Sequence, residues 1–226
     1  MQTSEEIITA LKQASIPANL AGMQRFGIDT RYALGVPIPV LRGMAKKIKK
    51  NHALASQLWK TNIHEARILA SMIDDPALVT PGQMDKWVKD FYSWDLCDQV
   101  CGNLFDRAAF AINKAKEYSE NKHEYIKRAG FVLMAEYAVQ NKTADNSVFL
   151  QFFPIIEREA WDERNFVKKA VNWALRQIGK RNASLRIEAI KVAKRILKQD
   201  TKVAKWIAKN ALAELQPPSP KGATKK

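Results

Sequence analysis

Residues 163–180 read Glu163-Arg164-Asn165-Phe166-Val167-Lys168-Lys169-Ala170-Val171-Asn172-Trp173-Ala174-Leu175-Arg176-Gln177-Ile178-Gly179-Lys180. At about 100° per residue, Val167, Val171, Ala174 and Ile178 fall within ~60° of one another. That stripe predicts an amphipathic helix whose apolar side faces a core. Lys169, Trp173, Arg176 and Lys180 form a second stripe nearly opposite, which sets an aromatic among cations on the face turned away from the core. Two readings fit. Trp173 packs against a neighbouring helix while the cations extend their heads to water, or it is an aromatic platform flanked by phosphate-binding cations.

The same helical period runs outward in both directions, and strand-like alternation is hard to find. Helices are predicted near 3–15, 38–50, 52–60, 62–74, 82–92, 95–119 with a break near Gly102, 122–140, 145–159, 163–180, 183–198 and 201–214. Starts are marked by Thr3 with Glu6, by Thr61 before Ile63 and by Asp162 before Glu163. Pro76, Pro81 and Pro154 fall at element edges or first turns, where proline is tolerated. Only 9 Gly and 9 Pro occur in 226 residues, too few for the turns of an all-β chain. Two helices per ~40 residues is the size of a HEAT-type repeat, and about five would fit. The fold expected is all-α; a stack of antiparallel helix pairs fits this rhythm, and a compact, non-repetitive bundle is the alternative. One domain is expected over 1–215, followed by a disordered basic Pro/Lys tail at 216–226.

Charge is concentrated at one end. Residues 163–226 hold 17 Lys and Arg against 4 Asp and Glu, a balance of +13 out of the chain's +14. A face made for nucleic-acid phosphates is the reading this favours over a merely solvated surface. The N-terminus lacks a basic segment and carries Glu5 and Glu6, unlike a signal peptide. Uncharged runs such as 146–156 fall far short of the ~20 apolar residues a membrane span needs. Cys97 and Cys101 lie four apart on one predicted helix, and His52, His64 and His123 are scattered. Neither a disulfide framework nor a zinc site follows. There is also no glycine-rich phosphate loop and no Ser-His-Asp grouping. The expectation is a reduced, cytoplasmic monomer with no cofactor, no metal and no membrane partner.

Two further segments break the helical pattern. Arg128 precedes the run Ala129-Gly130-Phe131-Val132-Leu133-Met134-Ala135, which has no polar side chain, on a helix whose core face is Ile126, Gly130, Leu133 and Tyr137. A guanidinium there needs a carboxylate such as Glu124, or a phosphate. Gly130 lets another backbone come close. In Tyr92-Ser93-Trp94-Asp95-Leu96-Cys97-Asp98, Trp94 and Asp98 share a helix face. Acids near a helix start favour the N-terminal dipole; Asp95 fits that role, and Asp98 is either a second such acid or a catalytic carboxylate.

Taken together, Ser93–Asp98, Lys127–Gly130 and Lys168–Arg176 resemble three blocks of the AlkD-type DNA alkylation repair glycosylases, and the likeness runs from about residue 20 to 200. The resemblance implies a right-handed superhelical stack of antiparallel helix pairs (HEAT-like repeats) with a basic concave groove, which excises cationic N3- or N7-alkylated purines from duplex DNA by hydrolysing the N-glycosidic bond. It places the catalytic acid on Asp98, its paired aromatic on Trp94, the groove arginine on Arg128 and a second groove tryptophan on Trp173. Phe26 stands where the family often has tyrosine, so a hydroxyl is missing there. Duplex DNA carrying alkylated bases is then the expected partner. It would lie along 128–205 and use Arg128, Lys169, Arg176 and Lys180 with Lys191, Lys194, Arg195 and Lys198. The competing reading is a helical-repeat module that binds nucleic acid or a protein without catalysis.

Overall fold

The computed structural model describes residues 3–216. They form fourteen α-helices and one short 3-10 turn, with no strand among the described residues. The chain divides into two compact units, Met1–Ala111 and Ile112–Lys226. The expected tail at 216–226 lies outside the described residues except for Gln216.

The first unit holds α1 (Ser4–Gln13), α2 (Ala18–Arg25), α3 (Ile38–Ile48), α4 (His52–Trp59), α5 (His64–Ile73), α6 (Pro81–Lys89) and α7 (Trp94–Asn103), followed by the 3-10 turn Phe105–Arg107. Its start is built as the sequence predicts: Thr3 and Glu6 close a reciprocal capping box around α1. Thr61 does not cap α5. Its hydroxyl donates instead to Leu58 at the end of α4, and Ile63 occupies the cap position without a side-chain bond. Helix α2 was not expected, and it buries no residue at all.

The buried centre of this unit is aromatic. Trp59 stacks on Trp87 with ring centroids 3.9 Å apart, and the Arg67 guanidinium sits 5.1 Å from the Trp59 centroid. Arg67 also donates to the backbone carbonyls of Trp59 and Asp90 and to the Asn62 side chain. A buried guanidinium is tolerable because its fork of donors is used. Beside it Glu65, also buried, accepts from the amides of Leu34, Gly35 and Val36 at 2.7–3.2 Å. One carboxylate thus satisfies three amides that the irregular backbone at 34–36 cannot pair for itself.

The second unit holds α8 (Ala111–Ser119) from its second residue on, α9 (Glu124–Gln140), α10 (Asn146–Leu150), α11 (Phe152–Arg158), α12 (Asn165–Lys180), α13 (Ala183–Leu197) and α14 (Lys202–Leu215). Helix α9 is buried on every side from Ile126 to Ala135 rather than along one face. Gly130 is where this is felt: a Cβ there would lie 2.4 Å from the Ser119 amide nitrogen and 2.8 Å from the Ala115 carbonyl. In α12 the stripe Val167, Val171, Ala174 and Ile178 is wholly buried, as the wheel predicts. Asp162 does not cap α12, which starts after Arg164; its carboxylate bonds the Arg164 amide and guanidinium.

Contacts along α12 and α14 rise together in number. Lys168 meets Trp206, Asn172 donates to the Ile207 carbonyl, and Arg176 and Lys180 meet Glu214. The two helices therefore run in the same sense, with α13 returning between them in the chain.

Candidate functional site

Ser93 is extended at the cap position of α7, yet its hydroxyl does not cap the helix. It donates to the Asp95 carboxylate, which also receives the His64 ring through Nε2 at 2.8 Å. The other ring nitrogen, Nδ1, lies 2.9 Å from the Tyr92 hydroxyl. His64 is 1% exposed, so this is a buried polar chain joining α5 to the first turn of α7. Burial works to raise the Asp95 carboxyl, but the bonds from His64 and Ser93 outweigh it and hold Asp95 below the ordinary carboxylate range. Burial pushes the Tyr92 phenol well up, so it stays protonated. Asp95 was expected as a helix-start acid. It does sit in the first turn, but its carboxylate is engaged sideways, by His64 and Ser93.

This network fixes the turn that carries Trp94 and Asp98. Leu96, Cys97, Val100 and Cys101 supply the buried side of α7. Trp94 and Asp98 flank that side, four residues apart and both half-buried. The Trp94 indole N–H donates to the Phe26 carbonyl at 3.1 Å. Phe26 closes α2 and is followed by Gly27 at φ 75°, a left-handed position that favours glycine. Phe26 is 73% exposed. Thus the first unit joins three residues singled out from the sequence: Trp94 and Asp98 on one helix flank, with Phe26 holding the indole by its backbone.

In the second unit, Trp173 is half-buried on the side of α12 away from the core stripe, with Lys169 exposed one turn before it. The rest of the cationic stripe is engaged. Arg176 and Lys180 both bond Glu214 of α14, Lys180 at 2.6 Å. Burial tends to raise Glu214, but Lys180 and Arg176 outweigh it and hold the carboxyl low. On α13, Lys191 pairs with Glu188 and Arg195 with Glu157. Such surface pairs are worth about 0–1 kcal/mol, so an incoming phosphate can displace them. Arg128 lies near the start of a wholly buried stretch of α9. It is only 5% exposed, and its Nη1 donates to the Phe166 carbonyl at 2.6 Å in the first turn of α12.

Several residues the sequence reading passed over prove central. His64, Glu65 and Arg67 anchor three different parts of the first unit from one turn of α5. In the second unit the Lys127 ammonium is buried between Glu159 at 2.5 Å and Asp162 at 3.1 Å, while Trp161 and Trp206 are exposed tryptophans. The signal for the first group was the compact run His64-Glu65-Ala66-Arg67, three ionisable groups within one helical turn. Among the described residues, no group of three or more His, Cys, Asp or Glu side chains converges as metal ligands would, and no helix is long and apolar enough to cross a membrane.

Comparison with known proteins adds three findings. A family model described as DNA alkylation repair enzyme matches residues 7–215. An uncharacterised protein of Listeria innocua is 23% identical over 213 residues, which is 92% of this chain and 93% of that protein. A solved structure from a family of proteins related to the HEAT-like repeat DNA glycosylases, with affinity for branched DNA structures, matches with a TM-score of 0.76. It is 19% identical and covers 95% of this chain and 96% of its own, so the likeness is one of fold.

Proposed function

We propose, for a chain that belongs to the DNA alkylation repair enzyme family, that it is a DNA glycosylase acting on purines alkylated at N3 or N7 in duplex DNA. The observation that carries this is the shared flank of α7. Asp98 and Trp94, both half-buried, lie one turn apart on a helix start fixed by the bonds of Asp95 to His64 and Ser93.

An N3- or N7-alkylated purine is already cationic, so it leaves without a general acid. As the glycosidic bond breaks, the sugar takes on oxocarbenium character. The Asp98 carboxylate stabilises that charge and orients the attacking water, whose oxygen ends on the sugar carbon and whose released proton passes to solvent, while the neutral base departs. Trp94 favours the cationic nucleotide through its ring face, at about 0.5–2 kcal/mol. Its indole N–H is held by the Phe26 carbonyl, so the ring is oriented before DNA arrives. Trp173, with Lys169, Arg176 and Lys180, contacts the duplex from the second unit. Arg128 contributes from α9, and its Nη1 also braces the start of the helix that carries Trp173 by donating to the Phe166 carbonyl.

The affinity of the structural relative for branched DNA favours a second reading, a non-catalytic binder of DNA junctions. Release of free base from N-methylpurine duplex separates the two. The expected result is excision by the wild type and about a hundredfold slower release by Asp98→Asn, the usual effect of losing one electrostatic stabiliser. DNA affinity should hold or improve, because a negative charge beside phosphates is removed. Tight junction binding with no base release by the wild type would favour the second reading.

A further inference from the structure

Helix α14 packs by Val203, Ala204, Ile207, Ala208, Ala211 and Leu215. The opposite face carries Lys202, Lys205, Trp206 and Lys209, all exposed. On the helical wheel Trp206 lies roughly 140° from the centre of the buried stripe and within about 60° of both Lys202 and Lys209. The core is therefore closed without it, and Trp206 is 41% exposed. From α12, Lys168 reaches to 5.5 Å from the ring centroid. Asp200 pairs with Lys205, and Glu214, at the far end of α14, pairs with Arg176 and Lys180.

We infer that this face is a platform for an unpaired nucleotide of a DNA strand, whose base stacks on Trp206 while its flanking phosphates meet lysines. Charge complementarity selects a polyanion. Lys202 and Lys209 lie roughly 10 Å apart along the axis, one on each side of the ring, so a strand crossing the tryptophan meets a cation before and after it. The aromatic narrows the choice further. In a continuous duplex every base face is covered by its neighbours, so lysines alone would serve and an exposed indole adds nothing. An unpaired base offers a free π-face, and such stacking tolerates any sequence. The protein thus distinguishes DNA that carries unpaired nucleotides, such as a gap or a branch point, from intact duplex. This rests on the nucleic-acid part of the reading above and not on base excision.

The test measures anisotropy of labelled DNAs, namely a thymidine oligonucleotide, a continuous duplex and a three-way junction with unpaired thymidines at its centre. Trp206→Ala should weaken binding of the oligonucleotide and the junction by about tenfold and leave duplex affinity within about twofold, while Trp206→Phe recovers most of the loss. Lys209→Glu, at a solvent-exposed position that cannot disturb packing, should weaken the oligonucleotide as well. The inference is overturned if Trp206→Ala matches the wild type on the oligonucleotide, or if it weakens duplex and oligonucleotide equally. Equal weakening of a poly-glutamate peptide would point instead to an acidic protein partner and also overturn it. Should Trp206→Ala fold poorly, unchanged oligonucleotide affinity in Lys209→Glu overturns it alone. Base release by the wild type is read separately: its absence sinks the excision reading and leaves the Trp206 result standing.

Discussion

Asp95 is placed where a carboxylate has every reason to stay ionised, and removing its charge tests how firmly α7 is held. Asp95→Asn keeps the shape but weakens the bonds to His64 and Ser93 inside the fold, which should cost about 1–3 kcal/mol of stability. The pH dependence has a definite sign. The folded carboxyl lies below its unfolded value of about 3.9, so its contribution is complete above that pH and disappears as the pH falls through the folded value. Urea midpoints of wild type and variant should therefore differ most near neutrality and converge below about pH 4. A gap that stays constant down to pH 3 would show that the carboxylate charge plays no part. This network could not be read in advance. His64 meets Asp95 across 31 residues, and a lone histidine in a sequence carries no sign of its partner. Trp94 and Asp98 were legible because both lie on one helix, four residues apart. Arg128 was legible as a buried cation in need of an acceptor, but not that one acceptor is the Phe166 backbone carbonyl, 38 residues away.

At the scale of the helix, legibility followed the apolar period. Helices α12, α13 and α14 match the expected spans to within about two residues because each buries a continuous stripe. Helix α2 escaped because its eight residues bury nothing, so no stripe exists to be seen. The segment 145–159 reads as one helix but forms α10 and α11, with Gln151 between them. Apolar spacing alone does not reveal such a break. In α9 the expected face was too narrow. The whole turn around Gly130 is enclosed, and the end of α8 approaches within the space a side chain would need. Gly130→Ala places a methyl group against the backbone at Ser119 and Ala115, which cannot swing aside as a side chain would. Destabilisation of at least 1–3 kcal/mol should follow. It should show as a lower melting temperature, even though alanine is the better helix former by about 1 kcal/mol. A variant as stable as the wild type would mean that α8 and α9 can separate freely.

For the molecule as a whole, the +13 balance of residues 163–226 governs how binding responds to salt. If about six phosphates are neutralised, log affinity for duplex should fall with log salt at a slope of roughly −5. Anisotropy titrations across a salt series measure it, and a slope near zero would mean that phosphates are not what this surface meets. The end-loaded charge was plain in the sequence, whereas the pairing of Arg176, Lys180, Lys191 and Arg195 with local carboxylates was not, because three of the four find partners on other helices. The anchoring of the first unit has a consequence for how the protein is made. The partners described for His64, Glu65 and Arg67 all lie between residues 34 and 95. That set of buried charges can be satisfied as soon as residue 95 has cleared the ribosome, before any of the basic C-terminal helices has been synthesised. The Lys127 cluster closes later in the same way, within residues 127–162. These buried charges are thus compensated by chain that lies near them in sequence, before or after, and the nascent protein need not hold them bare in its interior while it waits for its far end.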